Sequence, residues 1–210
     1  MSVAQKRSYE TLFPVYCLGA DKDFIPSELF GNNAPLIIEI GFGMGRATAH
    51  IAEENPGINY LGIEVHKPGI GRLLWEIEKR NLRNVRIIEG DAALVIQQQI
   101  NDSSVSGFHI FYPDPWPKKR HQKRRLITRP FTDLLALKLL PEGYIYMATD
   151  WADYGAWALE ELSSTPGLKN MYTSYAEHMS WRPETEFESK GIKKQHEIRE
   201  LYFIKPKDNK

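Results

Sequence analysis

Apolar positions along this chain alternate between two periods. Leu36-Ile37-Ile38-Glu39-Ile40 is a short, nearly continuous apolar run, the pattern of a strand buried on both faces. A glycine-rich turn at residues 41–45 follows, and residues 46–54 read as a helix closed by Pro56-Gly57. The alternation then repeats. Residues 58–64 predict a second strand, and residues 66–81 a helix with Ile70, Leu73, Leu74 and Ile77 on one face. Residues 85–88 predict a third strand and 92–101 a third helix. Residues 107–112 predict a fourth strand, and 128–139 a helix striped by Phe131, Leu134, Leu135 and Leu139. A turn at Pro141-Glu142-Gly143 leads to a strand at 144–149, a helix at 152–163, and strands at 168–173 and 198–204. Residues 1–34, with Pro14, Gly19, Pro26 and Gly31 and no sustained period, read as an irregular N-terminal extension.

Strands that alternate with helices imply an α/β fold with a parallel, doubly wound sheet. Right-handed crossovers put every strand-to-helix turn along one edge, and ligands bind there, outside the carboxyl ends of the strands. The chemistry is therefore expected just after each strand.

The length of 210 residues suits one such domain, expected over residues 35–206. No apolar stretch reaches the roughly 18 residues of a membrane span, and the first residues lack the apolar core of a signal peptide. One cysteine, Cys17, rules out an internal disulfide and a multi-thiolate zinc site, so no metal is expected, and a cytoplasmic protein is the natural reading. The 27 basic and 27 acidic residues balance, but unevenly. Residues 118–125, Lys-Lys-Arg-His-Gln-Lys-Arg-Arg, hold six cations on an otherwise acidic chain. Such a run is either a solvated loop or one defined contact with a polyanion.

After the first strand stands Glu39, then Gly41, Gly43 and Gly45, glycines that let the backbone turn tightly and approach a ligand. The dinucleotide fingerprint would need its third glycine at position 46, which is Arg46, so a nicotinamide dehydrogenase is disfavoured. After the second strand, Glu64 lies 23 residues beyond Gly41, where an acid can accept hydrogen bonds from both hydroxyls of a ribose. After the third, Asp91 either caps the next helix or accepts from an adenine amino group. After the fourth comes Pro113-Asp114-Pro115-Trp116-Pro117, a stiff loop presenting one carboxylate and one large aromatic beside the basic run. Trp116 either stacks on a base or wedges the loop against the core. After the fifth, Asp150 either caps the following helix or faces a ligand.

Glu39-Ile40-Gly41-Phe42-Gly43-Met44-Gly45 together with Pro113-Asp114-Pro115-Trp116-Pro117-Lys118-Lys119-Arg120-His121 resembles the bacterial tRNA (guanine-N7-)-methyltransferase family of the TrmB type, from about residue 35 to the C-terminus. The resemblance implies a Rossmann-like, class I methyltransferase fold with a seven-stranded, mostly parallel sheet whose last strand is antiparallel. It implies S-adenosylmethionine as methyl donor, S-adenosylhomocysteine as product, and N7 of guanine 46 in the tRNA variable loop as acceptor. By that resemblance, Glu39, Gly41, Gly43, Gly45, Glu64, Asp91 and Asp114 bind the donor, and Asp114 is also catalytic. Lys118, Asp150, Thr185 and Glu188 contact the target nucleotide, and Arg120, His121, Gln122, Lys123, Arg124 and Arg125 contact RNA. The expected partner is tRNA, with the chain a monomer or a homodimer. The chain departs from the family at Glu186, where relatives carry a basic residue, and in the segment Ile-Lys-Lys-Gln-His-Glu-Ile after Gly191. A non-catalytic RNA-binding subunit on the same fold is the rival, and the intact acids Glu64, Asp91 and Asp114 speak against it.

Overall fold

The computed structural model of the protein describes residues 1–19, 24–184, 188 and 196–207. The chain divides into two compact units, Met1–Ile100 with Trp181–Pro183, and Asn101–Ser180 with Glu184–Lys210.

The first unit holds four parallel strands, β1 (Cys17–Leu18), β2 (Leu36–Ile40), β3 (Asn59–Glu64) and β4 (Val85–Glu89), in the order β1-β4-β3-β2. Leu36 pairs with Asn59 and Ile40 with Ile63, and Glu64 pairs with Glu89, so the carboxyl ends of β2, β3 and β4 share one edge. Helices α3 (Arg46–Glu54), α4 (Lys67–Arg80) and α5 (Ala92–Gln99) follow these strands. The expected face of α4 is the buried one: Ile70, Leu73, Leu74 and Ile77 are all inaccessible to solvent. Helix α4 packs on β3 and β4, where Leu61, Ile63, Ile87 and Ile88 have no more than 1% exposure.

The described residues of 1–34 are not irregular. They form α1 (Val3–Tyr16), β1 and α2 (Pro26–Phe30). A capping box starts α1: the Gln5 N–H donates to Ser2 Oγ at 3.3 Å, and the Ser2 N–H donates to Gln5 Oε1 at 2.6 Å. Pro14 falls in the last turn, where it ends the helix rather than breaking it. The helix carries no broad apolar stripe because it packs closely on α4. A Cβ at Gly71 would lie 2.5 Å from the Gln5 carbonyl oxygen. The Tyr9 hydroxyl donates to Glu89 at the end of β4, and Lys67 lies 3.6 Å from the same carboxylate.

The second unit holds β5 (Val105–Phe111), β6 (Leu139–Thr149), β7 (Lys169–Asn170) and β8 (Arg199–Ile204), in the order β5-β6-β8-β7. β5 and β6 are parallel, and β8 runs antiparallel to β6, as expected of the last strand. Helix α6 (Arg129–Lys138) precedes β6 and α7 (Ala152–Ser163) follows it. Between β5 and α6 the basic run forms a 3-10 helix, Lys119–Arg124. The expected turn at Pro141-Glu142-Gly143 lies inside β6, where Glu142 has φ +66° and the register against β5 shifts between Val105 and Gly107. Phe108, Ile110, Leu135, Tyr146, Met147, Leu162 and Phe203 form its core. The described residues thus carry eight strands rather than seven, and β1 is the additional one. Among them no helix is long and apolar enough to cross a membrane.

Candidate active site

In the first unit, the turn after β2 needs its glycines for conformation. Gly41, Gly43 and Gly45 have φ of +71°, +55° and +66°, the left-handed region that side chains rarely adopt. Gly45 also leaves room for α4, since a Cβ there would sit 2.6 Å from Leu73 Cβ. It opens α3 without a side-chain cap, so the first amide N–H groups of that helix stay uncapped at the turn.

Glu64, at the end of β3, holds the turn in shape. Its Oε2 accepts the Gly43 N–H at 2.9 Å, and its Oε1 accepts the N–H groups of Val65 and His66 at 2.7 and 2.9 Å. A carboxylate has about four lone-pair sites, so three backbone donors leave capacity for a ligand hydroxyl. Asp91 caps α5: its Oδ1 accepts from Ala93 and Leu94 at 2.9 and 3.2 Å. Capping occupies one oxygen only, and the residue is exposed, so capping and ligand binding are compatible rather than rival roles.

Glu39 is the most unusual of these acids. It is buried on β2, and its Oε2 has no hydrogen-bond partner among the described residues. Burial pushes its carboxyl up to about 7, the Thr48 hydroxyl offsets part of that, and the Glu64 charge adds to it. An unmet buried carboxylate oxygen suits a cationic ligand group. Sequence reasoning missed Gly69, in the first turn of α4. A Cβ there would come within 1.9 Å of the Gly43 carbonyl oxygen, so only glycine lets the helix meet the turn. Its signal was a second glycine pair, Gly69 and Gly71, at the start of a strongly amphipathic helix.

In the second unit, Asp114 sits in the loop after β5, exposed to solvent. Tyr112 and Trp116 on either side of it have φ of +53° and +42°. Left-handed backbone at residues other than glycine costs about 1–3 kcal/mol each, and such strain clusters at functional sites. Two such residues and three prolines fix the direction in which Asp114 points. Tyr154 of α7 lies near it: the hydroxyl is pushed up to about 12 chiefly by burial, with the Asp114 charge among the lesser causes.

Lys118, Lys119, Arg120, Lys123 and Arg124 are exposed on the 3-10 helix and its approach, and His121 and Gln122 are half-buried. Trp116 is half-buried under them, with the Arg124 guanidinium 5.0 Å from its ring centroid and the His121 ring edge-on at 5.9 Å. These ring contacts are with side chains of the 3-10 helix. Arg125 is placed differently from its neighbours in the run. It is buried, and its guanidinium is spent on protein partners, Asp153 and the Pro115 carbonyl oxygen.

Asp150 does not cap α7. Thr149 Oγ1 accepts the Trp151 N–H at 3.2 Å, and Asp150 Oδ2 faces His196 Nδ1 at 3.3 Å. Glu188 is buried, with its carboxylate within 4.8 Å of the ligating atoms of His178 and Glu200. Thr185 lies outside the described residues, as do Glu186 and residues 191–195.

The acids at the ends of consecutive parallel strands, the left-handed glycine turn and the antiparallel last strand are those of a Rossmann-like methyltransferase fold. Solved structures agree. The 16S rRNA methyltransferase KamB matches with a TM-score of 0.64 at 14% identity, over 88% of this chain and 96% of that one. The 16S rRNA (adenine(1408)-N(1))-methyltransferase of Catenulisporales acidiphilia, solved with its cosubstrate SAM, matches at 0.59 and 11% identity, over 90% of this chain and 95% of that one. A family described as "Putative methyltransferase" matches residues 33–201. The tRNA (guanine-N(7)-)-methyltransferase of Nitrosomonas eutropha is 48% identical over 97% of this chain and 92% of its own length. That of Treponema pallidum is 55% identical over 82% of this chain and 68% of its own. The chain belongs to the tRNA (guanine-N(7)-)-methyltransferase family.

Proposed function

We propose that this protein methylates N7 of a guanine in tRNA, guanine 46 of the variable loop, in the cytoplasm, with S-adenosylmethionine as donor. The reading is carried by Asp114: an exposed carboxylate on a proline-stiffened loop between two left-handed residues, next to exposed cations.

The first unit fits the donor. Glu39, with its unmet Oε2, suits the ammonium of the donor's amino-acid tail. The glycine turn, kept free of Cβ atoms by Gly45 and Gly69, suits close approach of that tail. Glu64 keeps one lone-pair site, on Oε2, for a ribose hydroxyl, and Asp91 keeps one oxygen for the adenine amino group. When bound, S-adenosylmethionine supplies an electrophilic methyl group on a sulfonium.

Guanine N7 offers a lone pair and bears no proton, so attack requires no base at that atom. What develops is positive charge on the purine, and a fixed carboxylate stabilises it. Asp114 fills that role, and its oxygens can also accept from the guanine N1–H and amino group, which adenine lacks in that pattern. Lys118, Lys119, Arg120, Lys123 and Arg124 hold tRNA phosphates, which position the substrate without reading its sequence. Asp150 and Glu188 complete the contacts with the target nucleotide, together with Thr185. A stacked guanine has to leave its neighbours before reaction, at a cost of about a few kcal/mol that the phosphate contacts help to offset.

The decisive experiment incubates the protein with unmodified total tRNA and methyl-labelled S-adenosylmethionine, then identifies the labelled nucleoside by chromatography. Label in 7-methylguanosine at position 46 supports the proposal. Donor binding without transfer to any tRNA overturns it in favour of a non-catalytic RNA-binding subunit.

A further inference from the structure

The basic run is one continuous stretch in the sequence, but it has two physically different parts. Five of its cations face solvent, while the Arg125 side chain has 1% exposure. Its Nε donates to the Pro115 carbonyl oxygen at 3.0 Å, and its Nη2 donates to Asp153. The guanidinium lies over the rings of Tyr154 and Trp157, at 5.1 and 5.2 Å from their centroids. Those two rings are themselves fixed close by. The Tyr154 hydroxyl accepts the Ile127 N–H at 3.2 Å, and the Trp157 indole N–H donates to the Ile127 carbonyl at 2.7 Å.

Burying a cation is costly unless its hydrogen bonds are met, so this arrangement persists only because every contact is in place. Pro115 directly follows Asp114. A rigid, planar fork that stacks on two aromatics of α7 and donates into the Asp114 loop fixes the loop's position against that helix. We infer that Arg125 is a positioning residue: it holds the Asp114 loop on α7 and does not contact tRNA. The inference rests on the role proposed above for Asp114.

Arg125→Lys tests it, because lysine keeps the charge but cannot stack as a plane and bond Pro115 and Asp153 together. Single-turnover methyl transfer at saturating donor and tRNA should slow about 10- to 100-fold, the scale of a misplacement of about 1 Å. Affinities for donor and tRNA should stay within about 2-fold, and the salt dependence of tRNA binding should keep its slope. Arg120→Ala, by contrast, should reduce that log–log slope by about 0.7–0.9. In an Asp114→Asn background, Arg125→Lys should add less than about 2-fold, because both changes act through one group.

A slope and affinity that fall as in Arg120→Ala make Arg125 an RNA contact and overturn the inference. So does an unchanged transfer rate, which leaves Arg125 a packing residue alone. So does the full loss repeated in the Asp114→Asn background. A fully active Asp114→Asn variant refutes the role of Asp114 itself, and is distinguished from failure of the positioning idea, in which Asp114→Asn is slow and Arg125→Lys is not. If Arg125→Lys does not fold, Asp153→Asn, at an exposed position, weakens the same anchor and is judged by the same three readouts.

Discussion

Replacing Glu39 by Gln separates the cost of burying this carboxylate from its use. In the folded protein the group is pushed from an ordinary 4.5 up to about 7, mainly by burial. At about 1.36 kcal/mol per pH unit, that displacement is worth about 3 kcal/mol. The sign follows from proton binding. Between 4.5 and about 7 the unfolded chain has released a proton that the folded chain keeps, so wild-type stability falls as pH rises through this window. Gln never ionises and keeps the shape. The variant should match the wild type near about pH 4 and exceed it by about 3 kcal/mol at about pH 8, with all other titrating groups cancelling in the comparison. Urea denaturation of both proteins at the two pH values measures it. At pH 8, calorimetric donor binding should move the other way and weaken, because the amide cannot balance an ammonium. That opposition marks a residue kept for function at a cost in stability. A stability difference that is the same at both pH values refutes the burial argument. Unchanged donor affinity refutes the assignment to the ammonium.

Glu64→Ala should weaken donor binding by about 1.5–3 kcal/mol in calorimetry, the usual size for hydrogen bonds to a charged group, and unchanged affinity removes the ribose role. Replacing Lys119, Arg120 and Lys123 with Ala should lower the log–log salt slope of tRNA binding by about 0.7–0.9 per lost contact, with donor affinity unmoved; a wild-type slope makes the 3-10 helix only a solvated surface. Asp114→Asn should slow the chemical step by about 10²–10³-fold. Single-turnover rates at saturating donor and tRNA measure it, and a fully active Asn variant removes Asp114 from the mechanism.

The regular part of the fold was legible because its signals were local and redundant. The apolar run at residues 36–40, the stripe of α4 and the glycine turn each appear where the pattern placed them. α1 was missed because it is seated by Gly71, by Ser8 and by the Tyr9 hydroxyl rather than by an apolar stripe, although the Ser2–Gln5 capping box was there to be read. For the acids, position after a strand was enough to nominate Glu64 and Asp91, and the cap role of Asp91 as well, but not to show that Glu64 also supports backbone N–H groups. The burial of Arg125 was not legible for a different reason. Charge patterning treats adjacent cations alike, whereas a 3-10 turn sends Arg124 outward over Trp116 and Arg125 inward between Tyr154 and Trp157. Only three-dimensional structure separates neighbours of the same charge.

The docking of α1 on α4 has a consequence for the order in which the protein is made. The Tyr9 hydroxyl binds Glu89, a separation of 80 residues. Helix α1 therefore has no surface to rest on until α4 and β4 have followed it from the ribosome. A helix of 14 residues is marginal alone in water, so during synthesis this segment stays a fluctuating chain with its polar groups solvated. The non-local contact that fixes it forms late and adds to the loop-closure cost that slows folding. Helix α1, made before the elements that hold it, is thus among the last to settle.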